Sequence, residues 1–312
     1  MAKKTKKKIN FIKTLKKTTK IMLIIILSAL IYSLGGATAE NIRVNRMVDD
    51  FKSRAVFEYE TEITYNPGIT QTRRYYKVSR ETSYEISDAR SVFTDSTRRL
   101  IGQKGDVFVT QDTPFPYIPV IHQIGSFYFG GHAAIHNGNN RFIEATGFPQ
   151  ADESVLEIIL HPGNEPHDYS VTVARSASNY WLNSSFRTVD DRSYSAYGTY
   201  YRKEFIVLRA RDVTTEQIDA AVAYADDKVD KALYNFTYFF NTTYKYGCTD
   251  LVSRAYQSAL VEPERQRNYS RALNDDRFIT TINDIILSKD TYMTVYVEVI
   301  DHIFHIYYLE DL

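Results

Sequence analysis

One cysteine, Cys248, is all the thiol this 312-residue chain has. An internal disulfide is therefore excluded, and the sulfur is free, pairs with another chain, or does chemistry. Metal signatures are missing as well. There is no H-E-x-x-H, and His132 and His136 have no third or fourth ligand at a suitable spacing, so neither a metal nor an organic cofactor is expected. His302 and His305 fall on opposite faces if their segment is a strand. The chain also lacks net charge, yet the zero hides an asymmetry. All nine charges in residues 1–39 are lysines; take those nine from the 38 basic side chains and the remainder carries 29 against 38 acidic, a balance of −9. A body that acidic is a poor general binder of nucleic acid, and no nucleic-acid partner is expected.

The lysine-rich start leads into an apolar run, Ile21 to Leu34, and then into Ala37-Thr38-Ala39 before Glu40. This is the pattern of a secretory signal with a small-residue cleavage site. Left uncut, the same run is a membrane anchor with lysines inside. Either way the body faces outward, so an extracytoplasmic protein is expected, secreted or held to the membrane through residues 21–34. Residues 40–95 read as an extension: a short amphipathic helix over 40–55, then a hairpin of two alternating runs about Asn66-Pro67-Gly68. Residues 96–312 read as the main domain.

Tyr (25) and Phe (17) are plentiful, which favours sheet. Strands are expected at GDVFVT, at GHAAIHNG and RFIEATG as a hairpin, at VLEIIL and SVTVAR, at EFIVLRA, and at TYMTVYVEVI with HIFHIYYLE. Thr214 and Gln217 form a capping box ahead of an apolar stripe running from Ile218 to Leu233. Another helix is expected to start at Cys248, and a short one over 275–287. The class is α+β with a mostly antiparallel sheet.

The chemistry concentrates at Cys248. A helix start offers unpaired N–H groups and partial positive charge, which stabilise a thiolate, the reactive form of the sulfur. Among seven histidines, His132 is the best-placed base, because it opens a strand between Gly130-Gly131 and the small Ala133-Ala134. Glu144, on the returning strand of the same hairpin, is in cross-strand reach to orient the imidazole. His136 is the rival for that third role, since i and i+4 share a strand face. The plainer readings are a buried structural thiol and core histidine, a strand-edge carboxylate, and a packed Tyr/Phe run at 234–240 that otherwise lines a substrate groove.

GDVFVT, GHAAIHNGNNRFIEATG and ALYNFTYFFNTTYKYGCTDLVSRAY, in that order, resemble the permuted papain-like amidases of the YiiX and YebB type. These are relatives of NlpC-type cysteine peptidases and of lecithin retinol acyltransferase-like proteins. The resemblance covers roughly residues 100–260 and implies a papain-like, circularly permuted NlpC-like fold, with the sheet packed against the helix bearing the nucleophile. It maps Cys248 to the nucleophile, His132 to the base and Glu144 to the third residue. It implies a cysteine hydrolase acting on peptide or lipid-linked amides, cell-wall peptides among them. The chain departs from the pattern in its 40–95 extension and in an expanded stretch at 176–203. The readings outside that chemistry are a secreted binding module, or a surface-interaction protein using the Tyr-rich stretch at 180–201.

Overall fold

In the computed structural model the described residues are all but 1, 67–68, 113–129, 177, 183–202, 239, 241–242, 269 and 275–279; the side chains of 2–15 and 65–69 also lie outside the description. The chain begins with one continuous helix, α1 (Ala2–Ser53). The expected short helix over 40–55 is therefore the last quarter of a longer one. Its dock is legible in the spacing: Ala37, Val44 and Phe51 are buried seven residues apart, a stripe that keeps one face of a helix on its neighbour. The apolar residues Ile21–Leu27 are exposed instead. Among the described residues α1 is the one helix long and apolar enough to cross a membrane.

The hairpin follows as β1 (Ala55–Asn66) and β2 (Ile69–Val78); Pro67 and Gly68 of its expected turn lie outside the described residues. Helix α2 (Ser83–Ser87), β3 (Val107–Thr110), β4 (His132–His136) and β5 (Phe142–Ala145) come next. Then come α3 (Val155–Leu160), β6 (Val173–Arg175), β7 (Glu204–Ala210) and α4 (Thr215–Asp227). The chain closes with β8 (Leu233–Tyr234), β9 (Lys245–Tyr246), α5 (Cys248–Leu260), α6 (Ile282–Leu287), β10 (Thr291–Ile300) and β11 (Ile303–Leu309).

Nine strands form one sheet in the order β1-β2-β11-β10-β7-β3-β4-β5-β6. Every pairing is antiparallel except β11 with β2. The class is thus α+β with a large, mostly antiparallel sheet. β3, β4 and β5 are buried at every position, because layers cover both faces of the sheet there. That is why they show no clean apolar–polar alternation, and why His132, His136 and Glu144 are buried along with their apolar neighbours.

Two expectations need correction. VLEIIL is helix α3, not strand: the Ser154 side chain accepts from the Glu157 N–H and starts a turn. A six-residue run with five apolar side chains is too short to set a period, so the cap decides. The Thr214–Gln217 capping box does start α4, but the helix stops at Asp227, and Leu233 belongs to β8. The expected helix over 275–287 is described only as α6; residues 275–279 lie outside the described part.

Candidate active site

Cys248 is the first residue of α5, directly after an extended Gly247 that makes no side-chain cap bond. The helix start therefore keeps its N–H groups for other partners. Leu251, Val252, Ala255 and Tyr256 bury its inner face. Two side chains lock it in place: the Tyr256 hydroxyl donates to the Gly105 carbonyl at 2.5 Å, and Ser253 Oγ to the Ala272 carbonyl at 2.5 Å. Gly105 permits that approach. Its φ is +84°, and a Cβ there would lie 2.6 Å from Ile218 Cγ2 on α4.

His132 opens β4 opposite Thr110 of β3. Gly131 just before it has φ +76°, and a Cβ there would meet the Thr110 carbonyl oxygen at 2.3 Å. Only glycine fits this left-handed, crowded position, so Gly131 sets the point where the imidazole leaves the backbone. Glu144 sits on the neighbouring β5, paired with Ala174 of β6. His132 Nε2–H donates to Glu144 Oε2. With Nε2 engaged there, Nδ1 is the nitrogen left for the sulfur, and a hydrogen bond joins His132 to Cys248.

The half-buried thiol feels opposing forces. Burial pushes it up. The hydrogen bond and charge of His132, with the backbone N–H groups of Ala133 and Thr249, pull it down by more, so it lies below the ordinary thiol range. These are the two influences that make a sulfur nucleophilic, a nearby imidazolium and a helix N-terminus. In the first turn of the same helix, burial pushes the Asp250 carboxyl up to about 7 against the opposing charge and hydrogen bond of Arg254. Tyr238 packs near the other flank, its ring 3.6 Å from where a Gly247 Cβ would lie. Burial pushes the Tyr238 phenol up to about 12, offset by a hydrogen bond from Tyr234.

The structure thus brings Cys248, His132 and Glu144 together. His136 stays apart from that bond. It is fully buried beside Phe108 and Phe142, with Nδ1 accepting from the Gly138 N–H at 3.2 Å. Burial holds its pKa below the usual value, against the pull of Asp106 and Gln103. Asp106 closes a turn by accepting from the Gln103 N–H at 2.8 Å, and it pairs with buried Arg209 at 2.8 Å.

Sequence reasoning missed two members of the cluster. The Tyr180 hydroxyl donates to Glu144 Oε2 at 2.5 Å. The Trp181 ring lies over the His132 ring with centroids 6.0 Å apart and planes 20° from parallel. The available signal was that Trp181 is the lone tryptophan of the chain. The Pro-rich stretch 111–125 is described only at residues 111–112, and the Tyr-rich stretch at 180–201, the alternative interaction surface, only at residues 180–182.

Comparison of the chain with protein-family models, with curated proteins and with solved structures gives no match.

Proposed function

We propose that this chain is an extracytoplasmic cysteine hydrolase of permuted papain-like architecture, working through Cys248, His132 and Glu144 by way of an acyl-enzyme. The observation that carries the reading is the chain of contacts from carboxylate to imidazole to a thiol at a helix start. Each link has a job. Glu144 fixes the tautomer and the ring plane of His132, and stabilises the imidazolium when it forms. His132 Nδ1 takes the thiol proton, and the sulfur electron pair forms a bond to the substrate carbonyl carbon. The carbonyl oxygen becomes an oxyanion held by N–H groups at the start of α5. Such a donor contributes about 3 kcal/mol to transition-state stabilisation. His132 returns its proton to the leaving nitrogen as the C–N bond breaks. Water, deprotonated by the same imidazole, then clears the thioester.

The substrate class that suits an outward-facing enzyme of this type is an amide of the cell envelope, a peptide first of all. A second reading within the same chemistry is a lipid-linked amide or ester. It is favoured by apolar side chains exposed along the lead-in to the cysteine. Leu156, Leu160, Phe240 and Tyr244 are all exposed, and Lys245 Nζ joins α3 to β9 through the carbonyls of Ile158 and Ile159 at 2.8 and 2.9 Å.

Intact-mass spectrometry of the protein mixed with activated acyl esters, cell-wall peptides and lipid amides tests the function. An acyl adduct on Cys248 that decays in water, and that is absent in Cys248→Ala, is the expected outcome. A thiol left unmodified by every donor would leave the chain a binding protein.

A further inference from the structure

Tyr180 and Trp181 belong to the connection between β6 and β7, within the 176–203 stretch that departs from the resembled pattern. The segment is anchored on both sides. Asn179 Nδ2 donates to the Ile101 carbonyl at 2.9 Å and to Asn140 Oδ1 at 2.8 Å. The Leu182 carbonyl accepts from Gln71 Nε2 at 3.1 Å, on β2. Between these anchors the two rings enter the core. Trp181 is fully buried against Phe108, Phe142 and Phe205. Tyr180 stacks on Trp181 with centroids 5.7 Å apart and planes at 21°.

The result is a closed circuit. His132 bonds Glu144, Tyr180 bonds the same Glu144 oxygen, Tyr180 stacks on Trp181, and Trp181 stacks on His132. Glu144 is buried, and a buried carboxylate is stable as an anion only while donors surround it. A phenol O–H aimed at that oxygen supplies one, and it restricts the carboxylate to the position that meets the imidazole. The aromatic stack limits tilting of the imidazole from its other face.

Resting on the proposed hydrolase reading, we propose that Tyr180 is a positioning residue of the catalytic set. Its hydroxyl holds Glu144 ionised and aimed, so that His132 can keep the Cys248 sulfur deprotonated. Among its described contacts, with Glu144, Phe142 and Trp181, Tyr180 reaches no reacting atom; it acts through Glu144 and then through His132.

The test is the pH profile of iodoacetamide alkylation of the full chain, which reads the thiolate directly. In Tyr180→Phe the ring and its stack remain and the O–H is lost. The acid limb of the profile is expected to move up by about one pH unit, a tenfold loss of rate on that limb. Glu144→Gln is expected to lose more. Adding Tyr180→Phe to Glu144→Gln is expected to cost nothing further, because residues acting through one partner are non-additive. A Tyr180→Phe profile superimposable on the wild type, or losses that add in full, overturns the proposal.

Should Tyr180→Phe not fold, fluorotyrosine placed at position 180 serves in its place. It is nearly the same size and a stronger donor, so the limb should move down; a limb that stays still overturns the proposal. His132→Ala separates the two levels of the argument. A profile that collapses in His132→Ala but holds in Tyr180→Phe removes only this inference. A profile that survives His132→Ala removes the hydrolase reading with it.

Discussion

At Cys248 two opposing effects meet in one atom. Burial alone would give an inert structural thiol, and the imidazole and two backbone N–H groups reverse that. Two residues along, the charge and hydrogen bond of Arg254 do not outweigh burial, and the Asp250 carboxyl is raised to about 7. The sign of the consequence is fixed. An unfolded Asp titrates near about 4, so between there and the folded value the native chain holds a proton that the unfolded chain has released. Stability must then fall as pH rises through that window. Asp250→Asn mimics the protonated form and removes the titration. Urea unfolding at about pH 4.5 and about pH 7.5 should show the variant gaining on the wild type at the higher pH; an equal difference at both would contradict the raised carboxyl. Cys248, His132 and Glu144 were legible from sequence because each sits in a local signal: a helix start, a glycine-led strand, a hairpin return. Tyr180 was not legible. Its contact with Glu144 spans 36 residues, and nothing in its neighbourhood announces it.

Elements place these side chains through a few crowded junctions. Gly131 lets β4 start against the Thr110 carbonyl, and Gly105 lets α4 and α5 close over the turn ahead of β3. Gly131→Ala should cost about 2–5 kcal/mol from a left-handed backbone and overpacking together. The lowered urea midpoint should come with slower alkylation of Cys248, because His132 follows directly. Unchanged alkylation with a lowered midpoint would show that the junction does not set the imidazole. At this scale capped and periodic elements were readable, as with α4, α5 and the β4–β5 hairpin. α3 was not, because six residues, five of them apolar, are too few to show a period and the Ser154 cap selects the helix.

The whole molecule is one sheet to which the N-terminal hairpin is joined by the parallel pairing of β2 with β11. That pairing links residues 72–78 to residues 303–309, and no local pattern specifies so distant a partner; this is the part of the fold that the sequence did not disclose. α1 ties the same body to its apolar start. Asn41 Oδ1 accepts from Gln111 Nε2 at 3.2 Å and from Asn283 Nδ2 at 2.9 Å, and Lys52 pairs with Glu298 at 2.5 Å. Before this dock, residues 21–39 are uncharged, a helical length of about 28 Å against a hydrocarbon core of about 30 Å. A charge in the middle of that stretch, Leu27→Arg, should cost about 3 kcal/mol of insertion. On the anchor reading the detergent-extractable membrane fraction should fall accordingly; an unchanged fraction would contradict that reading of residues 21–34.

Because the whole chain has a single cysteine, alkylation of the intact protein reads one site and no other. The rate of iodoacetamide labelling against pH, in the wild type and in His132→Ala, tests the central claim most directly. The account predicts rapid labelling below pH about 7 that collapses in the variant, the mark of a thiolate held by an imidazole. Slow labelling that rises only above about pH 8.5, as for an ordinary thiol, and that is the same in both proteins would contradict it.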